Sequence, residues 1–257
     1  MAMESRRKVA LITGATGGIG KATAIALAKE GDYDLALHYS SASQETRDAL
    51  AAAIQKTNST TKVAFFQADM ADYTAVRNLH SAVTSQFGPV DILFNNAGTN
   101  SGYSAVTSLA DIPIEIFDQT HRINTTSAIL LTQLCLPHME SQQYGRIIFC
   151  SSVAGFTGGV VGPHYAASKA AQHGFVHWLA KNVARKGVTV NAVAPALIGD
   201  TVMMGRADDE AVQKRAELLP VGRLGRPEEI ADTVVWMVKN AYVTNKVIGV
   251  DGGMYPY

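Results

Sequence analysis

Short apolar runs of strand length recur along the chain, and segments of helix length separate them. The runs are continuous rather than alternating, which is typical of strands that are buried on both faces, as in a parallel sheet covered by helices. This arrangement predicts a doubly wound α/β fold, in which a seven-stranded parallel sheet carries helices on both faces through right-handed crossovers. We expect strands at 9–12, 35–39, 63–66, 92–94, 147–150, 188–193 and 247–250, and the principal helices at 21–30, 44–56, 74–87, 114–140, 165–186 and 227–240.

Composition narrows the class of protein. The 257 residues are 47% hydrophobic with a formal net charge of zero, and no Pro/Ser-rich linker divides them, so we expect a single domain over 1–257. The equal numbers of basic and acidic residues argue against nucleic acid as a partner, because binding the phosphate backbone requires clustered Lys and Arg. The first apolar run is too short for a secretory signal or a membrane span.

The cysteines and histidines suggest neither disulfides nor a metal site. Cys135 and Cys150 lie in apolar segments and are expected to be buried free thiols, which suits a reducing, cytoplasmic location. The seven His show no H-E-x-x-H spacing, and we expect no metal.

A glycine-rich turn, Thr13-Gly-Ala-Thr-Gly-Gly-Ile-Gly20, joins the first expected strand to the first helix. Its glycines at 14, 18 and 20 let the backbone turn tightly and approach a pyrophosphate, whose charge is favoured by the free N–H groups at a helix start. An ordinary tight loop would use the same residues. The buried strand before the turn and the Ala-rich helix after it favour dinucleotide binding.

Tyr165 and Lys169 lie about one turn apart near the start of a helix, so their side chains share a face. Apolar residues at helical spacing continue that face, which predicts that both side chains point inward. These residues are Val176, Leu179, Ala180 and Val183. One interpretation is that both polar heads reach solvent at the helix start. The other is a catalytic phenol whose pKa the neighbouring ammonium lowers by roughly 1 to 3 units.

The order of the motifs resembles the short-chain dehydrogenase/reductase family over nearly the whole chain. The shared motifs are the glycine-rich turn, Asn95-Asn-Ala-Gly98, Asn124, Ser152, Tyr165 with Lys169, and Pro195. The resemblance implies a Rossmann-type fold and a catalytic set of Asn124, Ser152, Tyr165 and Lys169. Ser151 competes with Ser152, but the interval from 152 to 165 matches related reductases and selects Ser152.

The resemblance also implies the residues that contact a nicotinamide cofactor. They are Gly14, Thr16, Gly17, Gly18, Ile19 and Gly20 in the turn, Tyr39, Ser40 and Ser41, Asp69 and Met70, Asn96, Ala97 and Gly98, Tyr165 and Lys169, and Pro195, Ile198 and Thr201. NAD sites commonly place a carboxylate after the second strand, which would repel a 2′-phosphate. This chain has hydroxyls there, so NADP(H) is favoured and NAD(H) is less expected, although Thr16 brings no countercharge.

The expected activity is NADPH-dependent reduction of a ketone to a secondary alcohol with Tyr165 as proton donor, resembling 3-oxoacyl and polyhydroxynaphthalene reductases. Alternatives are NAD-linked oxidation of a secondary alcohol and a regulatory protein that binds the nucleotide without turnover. An acyl carrier protein is a doubtful partner because the segment 141–144 lacks the basic residue that relatives place there. The resemblance further implies a homotetramer assembled through the helices at 114–140 and 165–186.

An apolar segment after Ile198, which we call the lid, is expected to close over the substrate. Its residues are Val202, Met203, Met204, Leu218 and Leu219, and Phe156 is expected on the catalytic side. Met side chains adapt to irregular apolar shapes, which favours a bulky ketone. A surface helix that packs only on its own domain is the alternative.

Overall fold

The computed structural model describes residues 6–205, 209–217 and 219–256, so the ends of the expected domain and the lid residue Leu218 lie outside the described residues. The sheet has seven strands in the order β3-β2-β1-β4-β5-β6-β7, and every pair is parallel. The strands are β1 (Lys8–Ile12), β2 (Tyr33–Tyr39), β3 (Val63–Gln67), β4 (Ile92–Asn95), β5 (Gly145–Cys150), β6 (Val188–Pro195) and β7 (Lys246–Val250). The predicted doubly wound fold is confirmed.

Helices cover both faces of the sheet. They are α1 (Gly18–Glu30), α2 (Gln44–Thr57), α3 (Tyr73–Phe87), α4 (Ile114–His121), α5 (Ser127–Ser141), α6 (Ala154–Thr157), α7 (Pro163–Val183), α8 (Glu210–Ala216) and α9 (Pro227–Lys239). Buried residues of α1, α2 and α9 pack on one face, and those of α3, α5 and α7 pack on the other. The two apolar layers explain why the strands read as continuous hydrophobic runs.

The structure corrects three details of the predicted helices. The segment 114–140 is not one α-helix, because a π-helical turn, Arg122–Thr126, separates α4 from α5. Helix α7 begins two residues early, at Pro163, since a proline suits the first turn of a helix, and it gives way to a 3₁₀ turn at Ala184–Lys186. The short helix α6 was not predicted, and α8 lies in the segment for which a surface helix was the alternative to a lid.

A buried carboxylate, Asp91, joins several segments at the amino-terminal edge of the sheet, away from the strands' carboxyl ends. Its side chain is 1% exposed and accepts two hydrogen bonds from the Arg6 guanidinium, at 2.7 and 2.8 Å. The Val9 N–H and the Gln142 amide each donate to it at 2.7 Å. These four donors compensate the loss of solvation that burial imposes on the carboxylate.

Cys135 and Cys150 are buried free thiols, as predicted. No helix in the described ranges combines the length and hydropathy needed to cross a membrane. Within the same ranges, no group of three or more His, Cys, Asp or Glu side chains is placed to hold a metal ion.

Candidate active site

A cleft of about 550 Å³ lies at the carboxyl ends of the strands, where doubly wound folds place their ligands. It is lined by most of the predicted cofactor residues, which come from separate strand ends. These are Gly14, Thr16, Gly17, Gly18, Ile19, Ser40, Ser41, Asn96, Ala97, Gly98, Tyr165, Lys169, Pro195, Ile198 and Thr201. The fold therefore brings together residues that are up to 187 positions apart in the sequence.

Five predicted residues lie outside the lining. Gly20 is packed inside the turn, where a Cβ would lie 2.3 Å from the Gly14 oxygen. Asp69 accepts the Ala71 N–H and closes its own loop, and Tyr39 is buried beneath α2. The others are Met70 and Asn124, both of which are buried.

The glycine-rich turn has the shape that a pyrophosphate needs. Gly14 has a left-handed φ of 63°, and a Cβ on Gly18 would lie 2.6 Å from the Asp200 oxygen, so neither position accepts a side chain without strain. The N-cap of α1 is Gly17, which offers no side-chain acceptor to the first-turn N–H groups. These donors and the helix dipole suit an anion, so the turn fits a nicotinamide dinucleotide.

His38 holds the turn from below. The Gly14 N–H donates to its Nδ1 at 3.1 Å, and its Nε2–H donates to the Ala68 carbonyl, also at 3.1 Å. Its ring is 1% exposed, and burial lowers the pKa of His38 below that of free histidine. Sequence reasoning missed this residue because a His inside an apolar strand carries no motif.

The two serines after β5 have different partners. Ser152 accepts the Ala154 N–H at 3.1 Å and donates to the Pro195 carbonyl at 3.3 Å. Ser151 donates to the Lys169 carbonyl at 3.1 Å and lies 2.7 Å from Nε2 of His173. Both serines line the cleft with Tyr165, and Ser152 is the one whose hydroxyl lowers the pKa of the Tyr165 phenol.

Tyr165 and Lys169 point inward, as predicted, and are 7% and 3% exposed. The Lys169 ammonium donates to the Cys150 carbonyl at 2.6 Å and lies 5.6 Å from the centroid of the Tyr165 ring. Burial raises the pKa of Tyr165 well above that of a free phenol, with a further rise from Cys150, while the Ser152 hydrogen bond lowers it. Burial also lowers the pKa of Lys169. The expectation that the ammonium gives the phenol a low pKa is therefore wrong for this conformation, because desolvation dominates.

Asn124 lies in the π-helical turn behind the tyrosine and lysine. Its side chain exchanges two hydrogen bonds with the Thr99 backbone, at 2.7 and 2.9 Å, and donates to the Ser168 hydroxyl at 3.0 Å. The backbone carbonyl of Asn124 accepts a hydrogen bond from the Gln172 side-chain amide at 2.7 Å. Gly98 fits between Asn124 and Lys169, since a Cβ there would lie 3.3 Å from the lysine nitrogen. The turn therefore ties the loop after β4 to α7.

Apolar side chains stand at the open end of the cleft. Val202, Met203 and Met204 line it next to Thr201, and the first two are 99% and 42% exposed. The Thr201 hydroxyl donates to the Ile198 carbonyl at 3.0 Å, which closes the turn that carries them. Further lining residues were not among the predicted cofactor residues: Ala42, Thr46, Cys150, Ser151, Ser152, Ala196, Val202, Met203 and Met204.

Comparisons with known proteins agree with this geometry. The family model for short chain dehydrogenase matches residues 8–211. A 3-oxoacyl-[acyl-carrier-protein] reductase of Thermotoga maritima is 34% identical over 98% of this chain and 99% of its own length. An uncharacterized oxidoreductase of Bacillus subtilis is 35% identical over 96% and 99%.

Among solved structures, levodione reductase superposes with a TM-score of 0.86 at 31% identity and covers 96% of this chain and 97% of that one. A Serratia marcescens short-chain dehydrogenase/reductase variant gives a TM-score of 0.85 at 30% identity, over 97% and 98%. The matches extend over nearly the full length of every protein compared. The chain therefore belongs to the short-chain dehydrogenase family of nicotinamide-dependent oxidoreductases.

Proposed function

We propose that the protein is an NADPH-dependent reductase that converts a ketone to a secondary alcohol, with Asn124, Ser152, Tyr165 and Lys169 as its catalytic set. The observation that carries the proposal is that Ser152, Tyr165 and Lys169 line the same cleft as the glycine-rich turn. The nicotinamide supplies the hydride when bound. The residues of this chain supply the proton and the charge stabilisation.

Tyr165 gives its phenolic proton to the carbonyl oxygen as negative charge develops there. Its raised pKa keeps the phenol protonated at neutral pH, so the donor is ready in the resting protein. Ser152 donates a hydrogen bond to the same oxygen, and the Lys169 charge favours the phenolate that remains. Asn124 fixes the π-helical turn against α7 and thereby holds the floor of the site.

The preference for NADPH is supported by the adenosine end of the cleft. Ser40, Ser41 and Thr46 line it, and none of the described lining residues carries a carboxylate that would repel a 2′-phosphate. Sequence reasoning found no countercharge nearby, but the Arg47 guanidinium lies over the Tyr39 ring, 4.5 Å from its centroid. A cation at the adjacent first turn of α2 favours the extra phosphate.

The substrate we propose is a free ketone with a bulky apolar group. Val202 and Met203 expose apolar surface at the cleft mouth, which an apolar substrate would cover. A carrier protein would require a basic surface. A basic pair, Arg185 and Lys186, follows the end of α7 remote from Tyr165, and Lys186 is paired with Glu140 at 3.0 Å.

The test is NADPH oxidation against a panel of acetoacetyl thioesters, diketones and aromatic polyketide-like ketones. Tyr165→Phe should lower turnover by about 10² to 10⁴ because the acid is lost, while NADP⁺ binding is retained. Tyr33→Phe is the matched control, since Tyr33 is also buried but begins β2 at the opposite edge of the sheet. Wild-type turnover by folded Tyr165→Phe, or oxidation of alcohols with NAD⁺ in preference to ketone reduction, would contradict the proposal.

A further inference from the structure

Three aromatic rings from separate parts of the chain stack beside the serine loop, which we define as residues 152–161. The Phe156 ring of this loop lies 4.4 Å from the His173 ring of α7. Its other neighbour is Tyr255, beyond β7, whose ring is stacked at 4.7 Å with the two planes 7° apart. The stack connects the catalytic helix, the serine loop and the C-terminal tail, which we define as residues 251–256.

The His173 end of the stack belongs to the catalytic face of α7. His173 follows Lys169 by four residues, so it continues the face that carries Tyr165 and Lys169. Nε2 of His173 lies 2.7 Å from the Ser151 hydroxyl. A Cβ on Gly155 would lie 2.6 Å from the His173 ring, so the loop reaches this ring because position 155 has no side chain. The serine loop is therefore seated directly on the helix that positions the proposed acid.

The Tyr255 end belongs to a tail that the backbone holds firmly. Asp251 accepts the Gly253 and Tyr255 N–H groups, each at 3.0 Å. The Gly252 carbonyl accepts the Val221 N–H at 3.2 Å. The tail is thus fixed to the end of β7 and to the segment that follows α8.

The same tail contacts an apolar cluster that includes the lid residue Leu219. This cluster consists of Val212, Ala216, Leu219 and Leu224. Met204 of the lid and Met254 of the tail both pack against it. Tyr255, the next residue, stacks on the serine loop. Ser152 at the start of that loop and Met204 both line the cleft, and we call these two sides its walls. One short segment therefore contacts the serine loop and also the cluster that supports Met204.

We infer that Tyr255 determines which ketones the cleft accepts. Its ring holds Phe156 and the serine loop in place while Met254 holds the cluster that supports Met204, and together they fix the spacing between the two walls. The inference rests on the proposed ketone reduction. Loss of the ring should loosen the loop and weaken the binding of ketones that fill the space between the walls, while ketones too small to reach both walls lose little.

The experiment compares Tyr255→Ala, Tyr255→Phe and wild type, with Tyr242→Ala as the control because that tyrosine is 97% exposed. Amide hydrogen exchange in residues 153–158 reports on the loop without requiring any turnover. Steady-state kinetics on one bulky and one small ketone then give the two values of kcat/KM, and calorimetry gives NADP⁺ affinity.

We expect Tyr255→Ala to raise amide exchange in the loop by about 3- to 10-fold, the range set by aromatic stacking. It should lower the bulky-to-small ratio of kcat/KM by a similar factor, mainly through KM, while Tyr255→Phe and Tyr242→Ala retain wild-type values. NADP⁺ affinity should be unchanged.

An unchanged ratio in Tyr255→Ala would overturn the inference even if its loop exchanged faster, because the tail would then be structural only. Equal losses in Tyr255→Phe and Tyr255→Ala would also overturn it, because the ring would not be responsible. Unchanged loop exchange in Tyr255→Ala would overturn the holding role. If the wild type reduced no ketone, the proposed reaction would fall, and loop exchange would still decide whether Tyr255 holds the loop.

Discussion

His38 links the glycine-rich turn to Ala68, the residue after β3, through both nitrogens of its ring, and this arrangement predicts a measurable pH dependence. Nδ1 must be unprotonated to accept the Gly14 N–H, and Nε2 must carry the proton to donate to Ala68. A second proton on Nδ1 would face the Gly14 N–H and break that contact. Acid should therefore destabilise the turn that we expect to bind the cofactor.

The sign follows from the direction of the pKa shift. Burial lowers the pKa of His38 from its ordinary value of 6.5, although the Ala68 hydrogen bond opposes this. Below pH 6.5 the unfolded chain binds a proton that the folded protein excludes. The free energy of unfolding therefore decreases as the pH is lowered from 6.5 to the pKa of His38 in the folded protein. The free energy of unfolding changes by at most about 1.4 kcal/mol for each pH unit, so the loss between pH 6.5 and pH 5 is at most about 2 kcal/mol.

Two substitutions separate the charge of His38 from its hydrogen bonds. His38→Asn places an amide oxygen where Nδ1 lies and can still accept the Gly14 N–H, but it is too short to reach the Ala68 carbonyl and has no charged form. It should therefore keep NADP⁺ affinity and lose the acid sensitivity. His38→Leu leaves the Gly14 N–H without its acceptor, at a cost of about 1 to 3 kcal/mol, and should weaken NADP⁺ binding by up to about tenfold.

The assay is denaturant unfolding at pH 7.5 and about pH 5, with NADP⁺ affinity measured by calorimetry at the higher pH. Burial also lowers the pKa of His80 and takes that of His173 to about 4, so wild type carries acid sensitivity from those residues as well. The difference between wild type and His38→Asn isolates His38. Parallel pH dependence in the two proteins, or full NADP⁺ affinity in His38→Leu, would refute the reasoning.

Four further outcomes are expected. Ser40→Asp should shift cofactor preference towards NADH, since the added carboxylate repels a 2′-phosphate; tighter NADPH binding by this variant would contradict the proposed cofactor. Met203→Ser combined with Met204→Ser should reduce the advantage of bulky over small ketones with NADP⁺ affinity unchanged; a lowered melting temperature with the same ketone ranking would mean that the lid packs only on its own domain. Asp91→Ala should lower the free energy of unfolding by about 1 to 3 kcal/mol in denaturant titrations, because it leaves the buried Val9 N–H without its acceptor, and unchanged stability would disprove that role. Light scattering at micromolar concentration should give the mass of a tetramer, the assembly expected from the family resemblance, and a monomer mass would refute it.

The strands and the glycine-rich turn could be predicted because their signals are local. The third strand was expected at 63–66 and extends over Val63–Gln67, and the last was expected at 247–250 and extends over Lys246–Val250. Continuous apolar runs bounded by polar residues identify buried strands wherever they occur in the sequence. The errors in the predicted strands are confined to their ends, where pairing with the neighbouring strand decides how far the ladder continues.

The family resemblance implies a helix that is perturbed at Asn124, but the π-helical turn could not be predicted from the residues themselves, because its supports come from another helix. Gln172 donates to the Asn124 carbonyl at 2.7 Å, and the Thr125 hydroxyl donates to the Ser168 carbonyl at 2.8 Å. These partners are 48 and 43 residues distant. An Asn within a helical pattern indicates only a weak helix former, and the packing of α7 decides what the backbone does there.

The direction of the Tyr165 pKa shift also depends on contacts that are distant in sequence. The spacing of Tyr165 and Lys169 reveals a neighbouring charge, but the desolvation of the phenol depends on everything that packs around it. Burial is the larger effect here, and the ammonium is directed to the Cys150 carbonyl. A pKa inferred from spacing alone therefore omits the dominant contribution.

Arg47 shows how a charge can be placed beside the cleft without any sequence motif. It lies eight residues after Tyr39, within α2, and the loop between them turns the helix back over the end of β2. Its guanidinium donates to the Tyr39 hydroxyl, the Ser43 carbonyl and the Gln44 side chain, all of which are neutral acceptors. Neutral acceptors orient a guanidinium without cancelling its charge. The glycine-rich turn itself contains no such cation, because Arg47 belongs to α2 and only the fold brings it to Tyr39.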